Sequence, residues 1–171
     1  MAMRLLIVQF IITGLAACKQ EAALPLVNST VIEVKGQASW QTERLDDTYV
    51  IQFPSDYKGG IGPTIEGPEF SLVRNDQRVY FLGAGSFSGA ALPLPTPLPE
   101  RIDLGNVTLN RLVTLRRDGQ TQGLFYYAEQ PKTWGRLYLL KDGQFGYSMT
   151  VQYNIELHRE VLGILQTIQP R

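Results

Sequence analysis

The sequence has little of what most enzymatic and metal sites are built from. Its 171 residues include one Cys and one His. A single cysteine excludes a disulfide framework within the chain, and a single histidine excludes any site built from several imidazoles. Neither sign of charge prevails, because sixteen Lys and Arg balance sixteen Asp and Glu. A nucleic-acid-binding domain is normally clearly basic, so this balance argues against nucleic acid as a partner.

Charge is also scarce at the start of the chain. Arg4 is the only charged side chain before Lys19, and an apolar run extends between them from Leu5 to Ala17. A positive start, an apolar stretch of about 7 to 15 residues and small residues at its end are typical of a secretory signal. The run is shorter than the roughly 20 apolar residues that a stable transmembrane helix needs. We therefore predict that residues 1–17 are a cleaved signal peptide.

The run ends in Leu15-Ala16-Ala17-Cys18, which resembles the lipobox of bacterial lipoproteins. In that family the cysteine becomes the first mature residue and carries diacylglycerol and an amide-linked acyl chain. The resemblance implies that Cys18 is lipidated, that residues 18–28 are a lipidated tether, and that the membrane is a partner through this lipid. In enteric bacteria an Asp after the cysteine marks retention in the inner membrane. Lys19 therefore favours, by resemblance, the outer membrane, with the protein facing the periplasm; the alternative is a plain secretory signal.

Residues 29–171 are predicted to form a single α+β domain. Runs rich in β-branched or alternating residues predict strands at residues 30–35, 48–53, 69–74, 77–82, 107–117, 121–128, 134–140 and 144–153. Three pairs of consecutive strands are joined by short turn-forming segments, at residues 75–76, 118–120 and 141–143. We therefore expect a mostly antiparallel meander. In residues 155–168 the apolar residues recur at helical spacing, and Asn154 is available as a cap. This pattern predicts one amphipathic helix that covers a face of the sheet.

Two segments rich in glycine or proline are predicted to be loops. Residues 83–100 combine three glycines with prolines at alternate positions from Pro93 to Pro99. Alternating prolines favour polyproline II and cannot donate to a sheet ladder. We expect this segment to be a surface loop, which either contacts a partner or is a plain excursion of the chain. Residues 58–63 are predicted to be a second exposed loop.

The layout resembles the Mog1/PsbP-like α/β/α fold over residues 45–169. The matching pieces are a strand that ends in an aromatic–proline pair at residues 49–54, the run 117–127, and the closing helix. The resemblance implies a binding scaffold that docks other proteins and has no chemistry of its own. Residues 36–47 depart from the family, which usually has a helix near its N-terminus, because they show little helical period.

No constellation of catalytic residues stands out. His158, the only histidine, lies in the predicted helix, and no Gly-x-Ser-x-Gly motif presents a nucleophile to it. Glycines near residue 83 are not followed by the Lys-Ser/Thr of a phosphate loop. Asp46 and Asp47 could contribute oxygen ligands to Ca²⁺, but no Asp-rich calcium loop surrounds them. We expect no enzymatic activity, no cofactor and no metal site.

The residue types instead favour a binding protein. Interfaces are enriched in Tyr, Trp and Arg, and such side chains crowd the C-terminal strands. The candidate protein-binding residues are these side chains and two carboxylates beside the glycine-rich loop: Glu66, Glu69, Arg116, Arg117, Tyr127, Trp134 and Arg136. They predict a lipid-anchored, non-enzymatic protein that faces the periplasm and binds another protein.

Two versions of this function stay open. One is an immunity protein against a periplasmic toxin, in which Glu66 and Glu69 would enter the toxin's active site. The other is an accessory lipoprotein of an envelope or secretion machine. The alternatives from other classes are a lipid or small-ligand carrier, with an apolar cavity between helix and sheet, and an envelope hydrolase, with carboxylates in a cleft.

Overall fold

A computed structural model describes residues 29–65, 67–83 and 93–171 of the chain. The predicted signal peptide, the tether with Cys18, and Glu66 lie outside the described residues. The predicted loop at residues 83–100 is described at Gly83 and from Pro93 onward.

The described residues form thirteen strands and one α-helix. In chain order these are β1 Ser29–Glu33, β2 Gln41–Arg44, β3 Tyr49–Phe53, β4 Tyr57–Thr64, β5 Gly67–Arg74, β6 Val79–Gly83, β7 Ile102–Asp103, β8 Thr108–Leu109, β9 Arg111–Arg117, β10 Gln120–Tyr127, β11 Lys132–Lys141, β12 Gln144–Asn154, α1 His158–Leu165 and β13 Gln169–Pro170. Strands dominate because β-branched and aromatic residues alternate with polar ones along most of the chain.

Eight of the strands form one large sheet in the order β1-β9-β10-β11-β12-β6-β5-β4. β1 pairs with β9 in parallel, and the other neighbours are antiparallel. A second sheet has the order β13-β3-β2, and β7 pairs with β8 alone. The predicted α+β class is confirmed, but a simple meander is wrong. The sheet is mixed, and the β4–β5–β6 unit joins it beside β12, far away in the sequence.

Two of the predicted hairpins are confirmed at the residue level. β9 and β10 are joined by Asp118 and Gly119, with φ of 52° and 78°, and β11 and β12 by Asp142 and Gly143, with φ of 51° and 77°. Positive φ at both central residues is the type I′ geometry that Asp-Gly favours. The third predicted turn, at residues 75–76, is longer, because β5 ends at Arg74 and β6 begins only at Val79.

The inner face of the large sheet, defined as the face toward β3 and α1, carries the main core. It is covered by alternate residues of β3 and by the apolar side of the helix. Its fully buried members include Ile51, Leu72, Phe81, Leu115, Phe125, Leu137, Met149, Val151, Val161, Ile164 and Leu165. Burial of these side chains drives the packing of the two layers, at about 25 cal/mol per Å² of apolar surface.

The closing helix is shorter than predicted. A 3-10 turn, Ile155–Leu157, precedes α1, and Asn154 makes no side-chain cap hydrogen bond. At the other end, the Thr167 hydroxyl lies 2.7 Å from the Ile164 carbonyl oxygen and accepts the Gln52 N–H at 2.8 Å. This side chain ties the chain to β3, where β13 then pairs, so the helix ends at Leu165.

The outer face of the large sheet carries a second, smaller core. Part of the predicted loop, together with β7 and β8, packs on β10 and β11 there. The cluster comprises Leu109, Leu124, Tyr126, Ala128 and Tyr138, with Leu94, Leu98, Ile102, Leu104, Val107, Leu112, Trp134 and Phe145 packed against it. Tyr126 donates to the Pro99 carbonyl oxygen at 2.9 Å. The described end of the segment is therefore a packed cover, because its leucines alternate with the prolines and point at the sheet.

Residues 58–63 are exposed or half-buried, as predicted, but the prediction that they form a loop is wrong. These residues belong to β4, which pairs with β5 along its whole length. A Cβ on Gly59 would lie 2.4 Å from the Ser71 carbonyl oxygen. The glycine is needed for the close approach of the two backbones, rather than for the freedom of a loop.

Candidate functional site

A cleft of about 500 Å³ opens between the two sheets. On one side lie Arg44, at the end of β2, and the three residues 45–47 of the β2–β3 turn. On the other side it is lined by residues of β4, β5, β6 and β12: Ile61, Pro68, Glu69, Phe70, Gly83 and Ser148. Its volume lies in the range of about 300 to 1,000 Å³ that is typical of ligand pockets.

The rim of the cleft on the β2–β3 side is held by local contacts. The Asp46 carboxylate accepts the backbone N–H groups of Thr48 and Tyr49, both at 2.7 Å. The Arg44 guanidinium lies 2.7 Å from the Asp47 carboxylate, and both side chains are at least half exposed. These contacts fix the conformation of the β2–β3 turn at the cleft. Asp46, considered above as a Ca²⁺ ligand, accepts the backbone hydrogen bonds of this turn.

Glu69 is the predicted site residue that lines the cleft. It lies on β5, half-buried, next to the buried Phe70. Among the described residues no ion pair or hydrogen bond involves its carboxylate. Arg44, Ile61 and Phe70 were missed by the sequence reasoning, because β2 and β4, which bring two of them here, were not predicted as strands.

The other predicted binding residues do not join Glu69. Arg116 and Arg117 lie at the far end of β9, where Arg116 is exposed and Arg117 pairs with Asp118 at 3.7 Å. Arg116 stands opposite Glu33 of β1, at the other edge of the large sheet from β4 and β5. The basic pair and the cleft are therefore separate surfaces.

Tyr127 is half-buried and packs against the main core. Its ring stacks on Phe125 with centroids 5.6 Å apart, and it contacts the His158 ring in a tilted arrangement, with centroids 4.8 Å apart and an interplanar angle of 36°. Burial raises the pKa of the Tyr127 phenol. Alternation places Tyr126 and Tyr127 on opposite faces, as expected, but a core covers each face there, so both rings are packed against the protein.

Trp134 and Arg136 lie two residues apart on β11 and are half-buried on the outer face. In the register of the sheet, Trp134 stands opposite Gln152 of β12, which stands opposite Tyr80 of β6. Trp134 also packs against the outer core. These side chains lie on the outer face of the large sheet, beside the proline-rich cover. The cleft is on the other side of the sheet.

His158 lies at the start of α1, with its Nδ1 2.7 Å from the Tyr153 hydroxyl. Burial lowers the pKa of the imidazole, and the charge of Glu129 acts in the opposite direction. Burial also raises the pKa of Tyr153. Both shifts favour the uncharged forms, so the hydrogen bond joins a neutral phenol and a neutral imidazole at the junction of α1 and the large sheet.

The space between helix and sheet, where a carrier would hold its ligand, is occupied by buried side chains. Val161, Ile164 and Leu165 of α1 are fully buried there. Across the described ranges no group of three or more His, Cys, Asp or Glu is arranged to hold a metal ion. No helix in those ranges is both long and apolar enough to cross a membrane.

Comparisons of this chain with protein-family models, with curated protein sequences and with solved structures found no significant match. The lipobox and the Mog1/PsbP-like layout therefore stay predictions that rest on the residues quoted for them. The structural basis for a functional assignment is therefore the cleft, with its geometry and the chemistry of its lining.

Proposed function

We propose that this chain is a lipid-anchored, non-enzymatic binding protein of the bacterial envelope that faces the periplasm and binds another protein. The observation that carries the proposal is Leu15-Ala16-Ala17-Cys18, with the only cysteine of the chain at the position that a lipoprotein would acylate. Each buried methylene of an acyl chain contributes about 0.8 kcal/mol, so two or more chains anchor the protein firmly.

The anchor limits where a partner can be met. Eleven residue steps separate Cys18 from Ser29, the first residue of β1. A fully extended chain spans at most about 3.6 Å per residue, so Ser29, where the domain begins, stays within about 40 Å of the bilayer surface. Lys19 favours the outer membrane. A toxin that acts in the periplasm, or a component of an envelope machine, is within this reach.

The cleft supports binding rather than chemistry. It combines apolar side chains with an acidic side chain that has no partner among the described residues, and Glu69 is placed at its wall. In the immunity version, Glu69 engages the toxin's basic active-site groups. In the accessory version, the same cleft docks a neighbouring subunit of the machine.

Two measurements test the proposal. Incorporation of labelled palmitate is expected in the wild-type protein and is expected to be lost in Cys18→Ser, because a hydroxyl cannot form the thioether. The variant is also expected to persist as an uncleaved precursor, since the lipoprotein peptidase acts after lipidation. Label retained by Cys18→Ser would overturn the anchor.

The binding partner is tested by affinity capture from solubilised membranes, with the wild-type protein as bait. A stoichiometric periplasmic or envelope protein is expected. Capture that returns no stoichiometric partner would overturn the protein-binding role, whatever the state of the anchor.

A further inference from the structure

We draw no further inference here: the strongest candidate, the partly exposed outer face of β5, β6 and β12 that carries Val73, Tyr80 and Leu82, is a sheet face without a partner, and nothing in the described part of the chain shows what covers it.

Discussion

The Tyr153 hydroxyl oxygen lies 2.7 Å from Nδ1 of His158, at the junction of β12 and α1. The ring of Tyr127 contacts the same imidazole at a tilt of 36°, with centroids 4.8 Å apart. The imidazole is thus enclosed by two aromatic side chains, and burial lowers its pKa below the ordinary value of 6.5. The folded protein holds this histidine neutral at a pH where an unfolded chain would protonate it.

We expect the protein to lose stability as the pH falls below 6.5, because of His158. Between its folded pKa and the ordinary value, the unfolded state binds more protons, so the free energy of unfolding decreases as pH falls. Urea unfolding at about pH 7.5 and about pH 5.5 measures this change. The decrease is expected to be smaller in His158→Gln, and an equal decrease in both proteins would contradict the prediction.

The accuracy of the sequence predictions depends on how local the determining interactions are. The turns at Asp118-Gly119 and Asp142-Gly143 were predicted because a type I′ turn is decided by its own two residues. The helix was predicted from its spacing, but its end was not, because Thr167 bonds to Gln52, 115 residues away in the chain. Non-local partners of this kind leave no periodic signal.

β4 shows the same limit in a strand. Its composition, rich in glycine and ending near Pro63, is typical of a loop. The strand forms because the β5 backbone approaches it closely, and only the pairing reveals why glycine is required at Gly59. The cleft could not be predicted for the same reason, since its described lining comes from five separate stretches of chain.

Gly59→Ala is expected to destabilise the protein by about 2 kcal/mol or more, since a Cβ would lie 2.4 Å from the Ser71 carbonyl oxygen and 2.8 Å from Leu72 Cα. Backbone cannot move aside as a flexible side chain does. The matched control is Gly62→Ala on the same strand, where a Cβ would meet nothing within 4 Å. Denaturant unfolding of both variants measures the difference, and equal stability would contradict the close-approach argument.

Tyr126→Phe is expected to cost about 1 to 2 kcal/mol, because it leaves the Pro99 carbonyl oxygen without its 2.9 Å partner. Tyr126 is fully buried, and burial raises the pKa of its phenol to about 12. Tyr80→Phe is the control, since the Tyr80 hydroxyl makes only a long, exposed contact of 3.5 Å to Gln77. A loss of similar size in both variants would show that the proline-rich cover does not depend on this bond.

The last prediction concerns the polar contacts that fasten the helix to the β4–β5 unit. The Tyr57 hydroxyl donates to the Glu160 carboxylate at 2.5 Å, and the Arg74 Nε lies 3.2 Å from the same oxygen. Arg74 also pairs with Asp56 at 3.1 Å and with Asp76 at 2.9 Å. The Arg74 side chain is only 19% exposed, so these contacts are screened far less than surface pairs.

Glu160→Ala leaves the buried phenol without an acceptor and removes one carboxylate from the partly buried guanidinium. We expect a loss of about 2 kcal/mol, between the values for exposed and for buried pairs. Asp47→Ala removes an ion pair of similar length whose aspartate is 91% exposed, and is expected to cost less than about 0.5 kcal/mol. Urea unfolding at low and high salt compares them. Equal losses in the two variants would mean that the helix is held by its apolar face alone.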